Sequence, residues 1–294
     1  MEQFELCQIE TADNLIHQGI FFRPVAPGKK ALLFVHGLTS TFYSQTALLN
    51  SMASLFQKHG IAIASFNTRG HDMLAGMRRV DKKNAKGYVH DSIGAGREKF
   101  IDCVHDIDAG VRFLVSRGFR EVVVMGHSTG ANKTCYFAGM KKNPQVCGYI
   151  LASPMSDRLI LGVDPCVVPG RIRTMKRFIK EGKGEELVSG FHFFPITPKR
   201  YLSLYDRGSK EDVFDYGDPT PAMTLYSQIR KPLLVIFAGS DEAADRPVET
   251  IKTVFDAKTR SSNYKSIVIE GAFHSFEGKE QELGAEVVRW AIVV

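Results

Sequence analysis

The chain has 294 residues, 44% hydrophobic and 24% charged, with a net charge of +6 and a pI near 9.0, which suits one α/β core with an insertion rather than two independent domains. No apolar stretch approaches the roughly 18 residues of a membrane span, and the acidic start Met1-Glu2-Gln3-Phe4-Glu5 lacks the basic and apolar regions of a secretory signal. Lysines and arginines are dispersed among acids without interleaved aromatics, so the sequence predicts a cytoplasmic protein with no nucleic-acid partner and no stable membrane insertion, and leaves a homo-oligomer open.

In chain order, residues 4–9 and 15–22 read as two strands joined by the turn formers Asp13-Asn14, an antiparallel hairpin opening the sheet. The pattern then changes. Strand 31–35, helix 45–58, strand 61–66, helix 97–116, strand 122–125, helix 131–138 and strand 146–152 alternate, and after a long interval strand 233–237, helix 247–255, strand 266–269 and helix 281–291 follow. Continuous β-branched runs separated by helical segments predict an α/β fold: a mostly parallel central sheet with helices on both faces. The interval breaks the alternation with its prolines, the aromatic run Phe191-His192-Phe193-Phe194-Pro195, and the basic stretch Arg171, Arg173, Lys176, Arg177, Lys180, Lys183. It reads as a cap or lid over residues 156–230, with the core formed by 1–155 and 231–294. Such an insertion covers the carboxyl edge of the strands, where ligands of open α/β sheets bind. The basic stretch carries Ile172, Met175 and Ile179 at helical spacing. Its charges read as a solvated helix face, with guidance of an anionic substrate or contact with a membrane surface as the alternatives.

Gly126-His127-Ser128-Thr129-Gly130 stands directly behind the apolar run ending at Met125. A G-x-S-x-G pentapeptide between a buried strand and a helix is a nucleophile elbow, whose tight turn needs small flanking residues and lifts the serine hydroxyl above the sheet. A serine is a poor nucleophile at neutral pH and needs a base, itself held in one tautomer by an acid. Asp241 follows the strand ending at Phe237, and His274 lies in the loop after the strand ending at Ile269. Asp157, after the strand ending at Ala152, is a rival for the acid, and Glu242 and Asp245 are neighbours of Asp241. His127 and His36 sit inside the elbow and the Val35-His36-Gly37-Leu38 turn, where hydrogen bonding within the site is their expected role.

On these motifs the chain resembles an α/β-hydrolase fold serine hydrolase of the carboxylesterase kind, over nearly its whole length outside the cap. The resemblance implies Ser128 as nucleophile, His274 as general base and then acid, Asp241 as the orienting carboxylate, and the backbone N–H groups of Leu38 and Thr129 as oxyanion hole. It also gives the Asn67-Thr68-Arg69-Gly70-His71 turn a structural role. The elbow region, with Gly96-Arg97-Glu98-Lys99-Phe100 and Ser153-Pro154, is similar as well to an α/β-hydrolase group that includes fungal siderophore esterases. With that kinship, a basic cap suits an anionic or metal-chelating ester.

The expected reaction is hydrolysis of a small-molecule carboxylic ester through an acyl-enzyme, without a cofactor. Amide or thioester cleavage and acyl transfer use the same triad, and a non-catalytic small-molecule binding protein can share the fold. Three His-Asp dipeptides, at 71–72, 90–91 and 105–106, lack clustered metal-ligand spacing. The second reads as part of a Gly-rich loop. The five cysteines are odd in number and without C-x-x-C spacing, and predict buried thiols rather than disulfides or a zinc site.

Overall fold

Apolar residues on both faces of consecutive strands place the sheet at the centre of the molecule. In the computed structural model, which describes residues 4–160 and 164–294, β1 (Glu5–Glu10) pairs antiparallel with β2 (Ile16–Phe22). β2 pairs antiparallel with β4 (Ile61–Phe66), and from β4 onward the neighbours are parallel: β3 (Lys30–Val35), β7 (Glu121–His127), β8 (Val146–Ala152), β9 (Leu233–Ala238) and β10 (Tyr264–Ile269). The first three residues of the acidic start and residues 161–163 of the predicted cap lie outside the described residues.

Side-chain alternation along the strands splits the core in two. Leu33, Val35, Val122, Val124, Val235 and Phe237 face one cluster, to which α2 (Cys103–Ser116), α3 (Thr129–Met140) and α6 (Val248–Lys258) contribute. Leu32, Phe34, Val123, Met125, Leu234 and Ile236 face the other, covered by α1 (Thr46–Lys58) and α7 (Glu280–Val293). A fully buried Leu, Val or Phe contributes about 1.5–3 kcal/mol relative to its exposed state, so continuous apolar strands repay burial on both faces.

Two elements differ from the sequence reading. The helix expected from Arg97 begins at Cys103, after a single 3-10 turn at Phe100–Asp102. The Arg97 and Glu98 N–H groups are drawn instead into a turn on the Gly94 carbonyl, and the Glu98 side chain goes inward to Lys133. The second difference is a hairpin of β5 (Ala75–Val80) and β6 (Tyr88–Ile93), which puts His90 and Asp91 on a strand rather than in a loop. It buries little beyond Met77 and Ile93, which pack on Leu15, and Arg79 pairs across it with Asp91. With so few apolar positions it carries almost no period-2 signal.

Between β8 and β9 the chain leaves the sheet and forms α4 (Val168–Lys180) and α5 (Pro198–Tyr205). They share a separate apolar cluster of Met175, Phe194, Ile196, Tyr201, Leu204 and Tyr205, which also takes Ala95 and Leu38 from the core. Among the described residues no helix is long and apolar enough to cross a membrane, no group of three or more His, Cys, Asp or Glu could hold a metal ion, and the five cysteines are free.

Candidate active site

The site begins with a backbone that only its surroundings can hold. Ser128, between β7 and α3, has φ 56° and ψ −132°, a region that costs a non-glycine residue on the order of 1–3 kcal/mol. Its flanks explain why the turn closes. A Cβ on Gly126 would stand 2.1 Å from the Gly130 carbonyl oxygen, and one on Gly130 would stand 2.2 Å from that of Val35. The elbow is thereby pressed against the end of β3, and its serine stays half-buried.

Two loops from the far end of the sheet reach it. The Gly239 N–H donates to the Ile269 carbonyl (2.9 Å) and the Ser240 N–H to that of Ala272 (2.8 Å), locking the turns after β9 and β10 together. His274 then spans the gap. Its Nε2 is 2.8 Å from the Ser128 Oγ, and its Nδ1 is 2.9 Å from each carboxylate oxygen of Asp241. A carboxylate only accepts, so Nδ1 carries the proton and Nε2 is left to accept from the serine hydroxyl. Asp241 is 8% exposed and also accepts from the Ala243 N–H at 3.0 Å. The Ser128–His274–Asp241 line can therefore take a proton from the hydroxyl and keep the resulting imidazolium beside a negative charge.

Two further residues hold the histidine. Glu242 accepts the His274 backbone N–H at 2.8 Å, and His127 bonds the His274 carbonyl through Nε2 at 2.8 Å. Burial, with the neighbouring His274, pushes the His127 imidazole down to about 4; it is neutral at pH 7 and donates from Nε2. The sequence offered both residues near the site, but their grip on His274 is a contact between loops that local patterning does not encode.

The turn after β3 is fixed by the same logic. Burial, with the Lys133 charge, pushes His36 down to about 3. The Thr68 N–H donates to the neutral ring's Nε2 at 2.9 Å, so the proton sits on Nδ1 and is donated to the Gly37 carbonyl at 2.9 Å. A trans peptide sets C=O and N–H in opposite directions, and pinning the Gly37 oxygen therefore aims the Leu38 N–H the other way. Gly37 lies against the elbow: a Cβ there would be 2.9 Å from the Ser128 Cβ. Thr129 opens α3, and its N–H is among the first-turn donors that a helix leaves without an internal acceptor.

Asp157 does not meet His274. Its two oxygens accept from Thr129 Oγ1 at 2.9 Å and Asn132 Nδ2 at 3.0 Å, both in the first turn of α3. Burial, reinforced by the nearby Glu211 carboxylate, pushes its carboxyl up to about 7. Behind it runs a chain of fully buried charges that the sequence reading passed over. Lys133 of α3 pairs with Glu98 at 2.6 Å, Glu98 with Arg200 of α5 at 3.4 Å, and Arg200 with Glu211. The legible signal was a lysine one turn into a helix of small and apolar residues. Asp245, the remaining neighbour considered, pairs with Arg246 at 2.7 Å. Arg69 binds Asp106 at 2.6 Å and Asp13 at 3.0 Å, tying its turn to α2 and the opening hairpin.

Solved structures share this arrangement of strands and helices. The chain is similar to DcsB, solved with a substrate analogue (13% identity, TM-score 0.68, 98% of each chain). It is similar also to Est1E from Butyrivibrio proteoclasticus with bound ferulic acid (15%, 0.64, 98% of each) and to a thermostable carboxyl esterase from Bacillus coagulans (14%, 0.65, 100% of each). Likeness at these identities establishes the α/β-hydrolase fold and no more. No curated protein matches the sequence. A family model does, across residues 86–293, and through it the chain belongs to the family described as protein of unknown function DUF1749.

Proposed function

We propose that the protein is a serine hydrolase that cleaves carboxylic esters. The observation that carries this reading is His274, which bridges the Ser128 hydroxyl and the Asp241 carboxylate within hydrogen-bond distance on both sides. The solved esterases of the same fold support it. In the first half of the reaction Ser128 Oγ attacks the ester carbonyl while His274 Nε2 takes its proton. The oxyanion that forms is met by the N–H groups of Leu38 and Thr129, donors of a kind worth about 3 kcal/mol each. Collapse expels the alcohol, which receives the proton from His274, and leaves an acyl-serine. Water, deprotonated by His274, then attacks the acyl carbon, and the released serine oxygen regains a proton. The acid, Asp241, stays ionised throughout and holds the imidazole in the useful tautomer. Residues 156–230 act as the cap over this site, and no cofactor enters any step.

Intact-mass spectrometry after incubation with a fluorophosphonate tests the reading, beside hydrolysis of p-nitrophenyl butyrate. One adduct and measurable turnover are expected in the native chain, with both lost in a folded Ser128→Ala variant. A folded native chain with neither adduct nor turnover would sink the proposal.

A further inference from the structure

The segment between β8 and β9 holds one polar cluster that neither the proposed triad nor the buried charge chain uses. Arg171, on the first turn of α4, is half-buried and donates from Nη1 to the Phe191 carbonyl at 2.9 Å, next to His192. Its neighbours Lys176, Arg177 and Lys183 each have a carboxylate within 4 Å. Arg171 has none among the described residues. His192 is half-buried and neutral, pushed down to about 4 by burial and the positive charges of Arg200 and Arg171. Its Nδ1 accepts the Phe193 N–H at 2.9 Å, so Nε2 carries the proton and is a donor. Tyr201 is fully buried; its hydroxyl lies by the Arg171 guanidinium, and its own proton has no acceptor among the described residues. His192 and Tyr201 are joined through Tyr205, whose ring centre is 5.8 Å from that of His192 and 4.7 Å from that of Tyr201.

The cluster thus contains a guanidinium, an imidazole N–H and a buried hydroxyl, and among the described residues no carboxylate pairs with any of them. A buried hydroxyl whose proton has no acceptor is costly, and a planar guanidinium is matched by the two oxygens of a carboxylate. Its position is equally specific, since the apolar side chains around it pack directly on Leu38, beside the Ser128 elbow. We propose that Arg171, His192 and Tyr201 form a carboxylate-binding subsite, so that the preferred ester carries a second, ionised carboxyl group. The subsite deepens the esterase reading and rests on it for its use in turnover, but not for its binding of an anion.

The test pairs two esters of similar length, mono-p-nitrophenyl glutarate and p-nitrophenyl butyrate. The native chain should favour the anionic ester by about tenfold or more in kcat/KM, the scale of one charged hydrogen-bonded contact. Arg171→Gln should bring that ratio near unity, and Tyr201→Phe, which removes one oxygen, should lower it several-fold even if loss of the guanidinium disturbs the segment. Lys180→Gln removes the same charge from an exposed position of α4 and should leave the ratio in place; a ratio that falls equally in Lys180→Gln reports general attraction and overturns the subsite. So does a native chain without preference. Binding of monoethyl glutarate and ethyl butyrate to the Ser128→Ala chain, by calorimetry, separates this inference from the esterase reading. Tighter binding of the anionic ester, lost in Ser128→Ala/Arg171→Gln, upholds the subsite even if the native chain hydrolyses neither substrate. Equal binding refutes it.

Discussion

The ends of β8 and β9 carry the same residue in closely similar burial and give it opposite surroundings. Asp157 and Asp241 are each 8% exposed, and each lies a few residues past a parallel strand. Asp241 faces an imidazole N–H, a group that gains a proton in the proposed mechanism, so its negative charge has work to do when the histidine becomes cationic. Asp157 faces a hydroxyl and an amide of the first turn of α3 and has Glu211 as a nearby acid. The difference teaches that burial and strand position do not choose the acid of the proposed triad. The choice is made by which neighbour changes charge.

The largest effect expected from breaking this comparison is on turnover. Asp241→Asn leaves the size of the side chain but cannot hold His274 Nδ1–H against a full negative charge, and kcat should fall about ten-thousand-fold. Asp157→Asn touches the proposed oxyanion donor only through the Thr129 side chain, and should lower kcat less than about tenfold. Steady-state hydrolysis of p-nitrophenyl butyrate by both variants decides the matter; a reversed order would move the acid to the end of β8.

The second effect is on stability and belongs to the Asp157 side alone. Glu98 lies between Lys133 and Arg200 with all three side chains fully buried. Glu98→Gln leaves Lys133 without its carboxylate partner and Arg200 with Glu211 alone. Breaking a buried pair by removing one partner costs about 3–5 kcal/mol, which guanidinium unfolding would read as a lowered midpoint. Ser128→Ala should unfold near the native midpoint or above it, since it relieves nothing but a strained, half-buried serine's side-chain contacts. A loss below about 1 kcal/mol in Glu98→Gln would mean that the chain of charges is dispensable.

These two results also mark what the sequence could say. The strand order around the elbow was legible because each parallel strand is a short continuous apolar run, and Gly126 and Gly130 flank Ser128 at positions where a Cβ cannot fit. Residues of separate loops, Ser128, His274 and Asp241, could be named from their places behind strand ends, and they come together in one hydrogen-bonded line. The choice between Asp241 and Asp157 was not legible from spacing, because it depends on how far the loop after β10 reaches. Nor was the pairing of Lys133, Glu98, Arg200 and Glu211, which joins four separated stretches of chain. The β5–β6 hairpin escaped for the opposite reason: it is held by polar pairing across two strands and buries too little for its residues to alternate.

The smallest effect sharpens the comparison through pH. The Asp157 carboxyl is pushed up to about 7 in the folded chain by burial and by Glu211, with Arg200 and Lys133 opposing, whereas an unfolded aspartate titrates near 3.9. Between those values the folded state binds a proton that the unfolded state has released, so the stability this carboxyl contributes is greatest at low pH and is lost as pH rises from about 4 to about 7. Asp157→Asn cannot titrate and should remove this fall, so the native unfolding free energy minus the variant's should decline across that window. His127 and His36, pushed down to about 4 and about 3, act in the opposite sense over an overlapping range: unfolded imidazoles take up protons first, so both destabilise the fold as pH drops under about 6.5. Because both histidines are retained in Asp157→Asn, the difference between the two unfolding curves isolates the aspartate. Parallel curves from pH 4 to pH 7 would show that Asp157 is ionised throughout, and that its bonds to Thr129 and Asn132 outweigh its burial.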